Sequence, residues 1–231
     1  MRVVIPFCEA KTPPKSINEE SMQNQDRLKE ALLLLQMHYE AYATIKPYAD
    51  KHLHPHPTDT RGWSQILVSA LTGVKGHARK KGPDLEDGSD VKAANCWDAI
   101  DTPRFNGCIK AGTQATTANS LDSLNDMPHL FFTMWDTTQT TNQKRCRIWV
   151  VNPRTDIEFR RVAGNWYEQR RIGTITSDNF QLHPPRNLDT NIFRNTCGNL
   201  SYPLLFEARL EQGRYVLTHF DETALQTGAC F

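Results

Sequence analysis

Apolar residues at Leu28, Leu32, Leu35, Tyr39, Tyr42 and Ile45 recur at steps of three and four, the signature of one helical stripe beginning near Ser21, and Glu30 falls on the opposite side. Pro47 ends the clean pattern, and Pro55 and Pro57 break the chain again. A second helix is predicted from Trp63 to Leu71, closing at Gly73. The pattern then becomes strand-like. Val91–Trp97 reads as one strand, and the polar segment Thr102–Thr117 reads as loop. His129–Trp135 and Arg145–Val151 are dense in aromatic and β-branched residues, flank the Thr/Gln/Asn-rich stretch from Asp136 to Gln143, and should lie inside a sheet. A helix from Ile157 to Arg170, a turn at Pro184-Pro185, and strands Leu204–Leu210 and Arg214–Thr218 joined across Gln212-Gly213 complete the chain. Pro6, Pro13 and Pro14 make residues 1–20 an arm, and no internal repeat is visible. The order of elements predicts an α/β fold, a mixed central β-sheet flanked by helices.

At 231 residues and 39% hydrophobic content, the chain is long enough to bury the core of one large domain. It holds no apolar run of membrane-spanning length, and charge follows Met1–Cys8 too quickly for a secretory signal, so the expected location is cytoplasmic. The six cysteines, Cys8, Cys96, Cys108, Cys146, Cys197 and Cys230, form no CxxC pair and are expected as reduced thiols. A formal net charge of +1 argues against a protein that coats polyanions through bulk charge.

Candidate chemistry concentrates in Gly82-Pro83-Asp84-Leu85-Glu86-Asp87-Gly88-Ser89-Asp90-Val91-Lys92. Asp90 and Lys92 are two residues apart, so on a strand they project from one face. As a β-hairpin, the segment has two registers. A two-residue Asp87-Gly88 turn pairs Leu85 with Asp90 and sends Asp84 to the wrong side. A three-residue Asp87-Gly88-Ser89 loop pairs Glu86 with Asp90 and Asp84 with Lys92, gathering acids and lysine together. The second register, or a longer loop of the same parity, suits metal-dependent phosphodiester cleavage, in which acids hold a divalent cation and the lysine orients water. The plain alternative is a solvated hairpin tip, for which acids and glycine are common filling. Lys75, His77, Arg79, Lys80 and Lys81 lie just before the acids, where they can grip phosphates.

Pro83-Asp84 followed by Asp90-Val91-Lys92 resembles the PD-(D/E)xK nuclease motif. The wider run from Lys80 to Asn95, with Leu182-His183-Pro184-Pro185-Arg186 and Arg194-Asn195-Thr196-Cys197-Gly198-Asn199-Leu200, is similar to type II restriction endonucleases of the MamI-type group. The resemblance runs from about residue 25 to 220 and implies a nuclease core over residues 21–178. Residues 179–231 would then be a further part of the same domain serving DNA contact or dimerisation. It also implies Mg2+, with Mn2+ as substitute, held by Asp84, Asp90 and the Val91 carbonyl, and Lys92 positioning the attacking water. Only five residues separate Asp84 from Asp90, a tighter gap than the family's usual one, which leaves Glu86 and Asp87 as alternative acids. Glu40 is a weaker accessory acid. The partner would be double-stranded DNA cut in a restriction-modification setting. A symmetric site calls for a homodimer. Lys75, Arg79, Lys80 and Lys81 are candidates for phosphate contact. Arg104, Asn106, Lys110 and Gln114, then the Gln139–Lys144 loop and Arg186–Asn199, are candidates for reading base edges.

Competing constellations are weaker. His52, His54 and His56 alternate as transition-metal ligands would, but the proline between them spoils a regular strand and favours a linker. No Gly-x-Ser-x-Gly motif or phosphate loop is present. A structure-selective or repair nuclease of the same fold, and a non-catalytic DNA-binding protein, are the other readings.

Overall fold

The computed structural model describes residues 17–54, 59–77, 82–97, 99, 102–109 and 121–226. Helix α1 (Ile17–Lys51) leads into α2 (Arg61–Thr72), followed by strands β1 (Asp90–Asn95), β2 (Leu130–Thr137) and β3 (Lys144–Val151). Then come α3 (Ile157–Arg171), the short strands β4 (Ile192–Phe193) and β5 (Leu200–Ser201), and finally β6 (Leu204–Glu211) and β7 (Arg214–Phe220). A five-stranded sheet runs in the order β1-β2-β3-β6-β7. β1 is parallel to β2 and the remaining pairs are antiparallel. The predicted mixed α/β sheet is therefore observed. Among the described residues, no helix is long and apolar enough to cross a membrane.

Two apolar layers cover the sheet. Ala31, Leu35 and Tyr42 of α1 and Leu67, Val68 and Leu71 of α2 pack with Val91, Phe131, Trp135 and Ile148 on one face. Phe159, Val162 and Trp166 of α3 join Phe105, Leu182 and Phe193 over Phe132, Met134 and Trp149 on the other. β2 and β3 are buried along almost their whole lengths, as central strands covered on both sides must be.

Local chemistry sets the ends of the elements. Gly73 closes α2 in the left-handed conformation (φ 72°), its N–H donating to the Ser69 carbonyl. Asp156 caps α3 by accepting the Phe159 N–H at 2.7 Å, and Arg170 and Arg171 meet the negative end of the helix dipole. Gln212 (φ 49°) and Gly213 (φ 81°) turn β6 into β7.

α1 departs from expectation at both ends. It begins at Ile17, inside the segment read as an arm, and it continues through Pro47 to Lys51. Pro47 and Ala43, whose carbonyl loses its partner to the proline, are both exposed, so the missing bond falls on the solvent side of the helix. Residues 1–16 of the arm, together with Pro55 and Pro57, lie outside the described residues.

A buried charge network stiffens the sheet. Asp136, fully buried, accepts from Arg145 Nε (2.8 Å), Arg145 Nη2 (3.2 Å), Arg147 Nη2 (2.7 Å) and the Asn187 backbone N–H (2.9 Å). Arg147 also donates to the carbonyls of Pro185 and Leu188, which ties the segment after the Pro184-Pro185 turn to the sheet. The region beyond residue 178 thus supplies two strands of the main sheet and part of its core.

Candidate active site

β1 is an edge strand, and its open side carries the candidate chemistry. The Asp90 N–H points inward to the His129 carbonyl, whereas the Val91 N–H points away from the sheet and donates to Asp84 Oδ2 at 2.9 Å. In a strand the N–H and C=O of one residue face the same side, so the Val91 carbonyl also lies along the open edge. Asp84 Oδ1 accepts from Gln65 Nε2 of α2 at 2.7 Å. Asp90 and Lys92 share one face of β1, with Lys92 Nζ 2.6 Å from Asp90 Oδ2. A cleft of about 870 Å³ opens over these groups, lined also by Arg61, His77, Arg104 and Asn106.

The acidic segment reaches this geometry without forming the predicted hairpin. Residues 84–86 pair with residues 75–77: the His77 N–H donates to the Asp84 carbonyl (3.1 Å) and the Glu86 N–H to the Lys75 carbonyl (2.9 Å). β1 takes its own partner in β2, starting at Asp90 opposite Leu130. The cause is Leu85, which buries in the α1/α2 layer and draws its neighbours toward α2. The connecting turn needs glycine at position 88, where φ is +95° and an added Cβ would stand 2.8 Å from the Asp126 carbonyl. Asp84 thus joins Asp90 by a tertiary route.

Electrostatics in the cleft are unbalanced. Burial, then the neighbouring Asp84 carboxyl within hydrogen-bonding reach, push Asp90 from 3.8 up to about 6 against the pull of Lys92. For Lys92, burial favours the neutral amine, but Asp90 more than offsets it and raises the pKa above the ordinary value, so the ammonium persists at neutral pH. In direct contact, two carboxylates face one ammonium; Arg61 and Arg104 line the same cleft but form no ion pair with either acid among the described residues. Beneath them, burial pushes the Cys108 thiol up to about 12, which removes it as a nucleophile.

The other predicted residues fall into distinct places. Glu86 and Asp87 are exposed and do not line the cleft, and Asp87 accepts the Ser89 N–H and hydroxyl within its own turn, both at 2.9 Å. Glu40 is on the exposed side of α1, accepting from Gln36. Arg104 and Asn106 border the cleft, and Lys75 lies outside its lining although its neighbour His77 is within. Arg79, Lys80, Lys81, Lys110 and Gln114 lie outside the described residues, as do His56, Cys8 and Cys230. His52 and His54 are exposed at the end of α1. Cys96, Cys108, Cys146 and Cys197 are free thiols. Sequence reasoning missed Gln65 and Arg61. They are four apart on α2 and so share a helix face, but nothing in the sequence links that face to Asp84.

The donor set has the chemistry of a site for a hard divalent cation: carboxylate oxygens crowded together, with a main-chain carbonyl at the same edge. Two carboxylates and one carbonyl are few protein ligands, and no cluster of three or more His, Cys, Asp or Glu side chains suited to a metal occurs among the described residues. That is the pattern magnesium tolerates, because it retains several waters.

Comparison with known proteins gives the chain a family. No solved structure matches the chain. The chain is 31% identical over 164 residues to the type II restriction enzyme MamI of Microbacterium ammoniaphilum, an alignment covering 66% of this chain and 52% of that enzyme. The chain therefore spans about half the length of this relative. The family model for MamI restriction endonuclease matches residues 47–217, which include every described residue of the cleft. The chain belongs to the MamI restriction endonuclease family.

Proposed function

We propose that this protein is a sequence-specific type II restriction endonuclease, hydrolysing phosphodiester bonds of double-stranded DNA in the cytoplasm as a homodimer with Mg2+, for which Mn2+ can substitute. The observation that carries this reading is the meeting of Asp84, Asp90 and Lys92 at one open sheet edge in a chain of this family. Asp84, Asp90 and the Val91 carbonyl would hold the cation, which when bound supplies Lewis-acid polarisation of the scissile phosphate. Lys92, held charged by Asp90, donates hydrogen bonds and so orients a water for in-line attack and steadies the charge that builds on the phosphate. Arg104 and Asn106, which line the cleft, contact DNA, and Lys75, Arg79, Lys80, Lys81, Lys110 and Gln114 complete the proposed set of DNA-binding residues.

Digestion of a fully sequenced phage or plasmid DNA with added Mg2+ tests the reading. Discrete fragments with uniform ends are expected. A smear would instead mark a structure-selective or repair nuclease, and intact DNA a binding protein. Asp90→Ala and Lys92→Ala should each lower the cleavage rate by about 10²–10³-fold or more while duplex binding survives. Retained cutting by both variants would remove the site from the reaction.

A further inference from the structure

Beside the cleft, three short chain segments line up on the α3 side of the molecule. Phe105 and Leu182 exchange backbone hydrogen bonds of 2.9 and 3.0 Å, and His183 and Arg194 exchange a second pair of 2.9 and 3.0 Å. Residues 181–183 are therefore the middle strand of a local three-stranded patch. Phe105, Leu182 and Phe193 all point inward and are fully buried. Side chains alternate along extended backbone, so the next positions, Arg104, His183 and Arg194, face outward together. Arg104 and Arg194 are exposed and His183 is half-buried between them.

This row sets two arginine charges on either side of His183, with no acid beside them among the described residues. Burial, then Arg194 and Arg104, hold the His183 imidazole below its ordinary pKa, and no carboxylate opposes them. Among the described residues, none of the three forms an ion pair. The arrangement contrasts with α3 nearby, where Arg161, Arg170 and Arg171 each have an acidic partner. Two arginines on one patch with no ion-pair partner among the described residues are spaced for an external polyanion. With strands about 4.8 Å apart, the row spans roughly 10 Å, long enough to meet more than one phosphate of a single strand. Arg104, at its near end, also borders the cleft.

We propose that Arg104, His183 and Arg194 form a phosphate track that takes the backbone of one DNA strand as it leaves the cleft, positioning the duplex without reading its sequence. This rests on the nuclease reading above and adds a surface to it. Phosphate contacts fix register and orientation, whereas base contacts specify.

The test is equilibrium binding of the full chain to a fluorescently labelled mixed-sequence duplex, without divalent metal, between about 50 and 200 mM salt. Arg194→Ala should lower the slope of log affinity against log salt by about 0.9, and Arg104→Ala with Arg194→Ala by about 1.8. Arg194→Lys should restore the wild-type slope. Arg171→Ala, which removes an arginine already paired on α3, should leave it unchanged. An unchanged slope in the double variant, with wild-type binding intact, overturns the track but not the nuclease. A wild-type chain that neither binds duplex nor cuts it overturns both.

Discussion

Two sets of buried or half-buried charges sit on the same sheet and are treated in opposite ways. At the centre, fully buried Asp136 receives four donors from Arg145, Arg147 and the Asn187 N–H, and Arg145 reaches outward to the half-exposed Asp189. At the β1 edge, Asp84 and Asp90 share two neutral donors and one ammonium, crowd each other, and face an open cleft. Burial and crowding leave Asp90 at about 6. The central network closes around Asp136 and fastens the sheet, although Arg147 Nε is left without a partner, whereas the acid pair at the open edge has the chemistry to take the cation proposed above.

The sharpest break of that contrast is at the fastener. Asp136→Ala strips Arg147, almost fully buried, of its ion-pair partner and leaves Arg145 with only Asp189 and the more distant Glu207. Removing one partner of a buried pair costs about 3–5 kcal/mol because the remaining charge is left uncompensated. The same change releases the Asn187 N–H and loosens the segment that Arg147 holds through Pro185 and Leu188. Urea denaturation monitored by tryptophan fluorescence should show that loss as a lower midpoint. A loss below about 1 kcal/mol would be that of an ordinary surface ion pair and would refute the fastener role.

The receptor should respond to pH and metal in the opposite sense. A carboxyl whose folded-state pKa is raised disfavours its charged form, so Asp90 lowers stability above about pH 6 and ceases to do so as pH falls toward 3.8. A shift of about two units corresponds to about 3 kcal/mol. Asp90→Asn mimics the protonated acid. Without metal, wild type should lose ground against Asp90→Asn as pH rises from 4 to 8, by up to about 3 kcal/mol. Saturating Mg2+ at pH 8 should return about 2–3 kcal/mol to wild type and almost nothing to Asp90→Asn. Thermal melts of both proteins with Mg2+ and with EDTA measure this, and equal Mg2+ responses would exclude Asp90 as a ligand.

What the sequence disclosed divides along the same line. α2, α3 and the long strands were legible because periodicity, caps and the Gln212-Gly213 turn are local signals. The main carboxylate pair was legible as residue types, but its path was not, since Leu85 burial and the pairing of residues 84–86 with 75–77 are tertiary events. The strands β4 and β5 have two residues each, too few for any period to register. A trace of the fastener was present: Arg145 and Arg147 alternate on β3, but only the register placing Asp136 opposite Arg145 reveals their partner. Gln65 left no trace, being an ordinary helix residue until Asp84 is known to stand before it.

Gln65 offers the smallest and most diagnostic change. It is neutral and supplies Asp84 Oδ1 with a donor, while the Val91 N–H holds Oδ2, so the carboxylate is oriented from both sides. Gln65→Ala leaves the backbone donor in place. The low end of the usual 10–100-fold loss for a partner orienting a ligand is then expected, roughly tenfold in the Mg2+ concentration that gives half-maximal cleavage. The maximal rate should recover at high Mg2+, because Asp84, Asp90 and Lys92 are untouched. Gln65→Glu keeps the size but replaces a donor with a third carboxylate facing Asp84. It should bind Mg2+ more weakly at low concentration if repulsion turns Asp84 away, or more tightly if the new oxygen joins the ligands. Either shift identifies Gln65 as the group that sets the coordination of Asp84, whereas Mg2+ titrations superimposable on wild type for both variants would show that the Val91 N–H orients Asp84 alone.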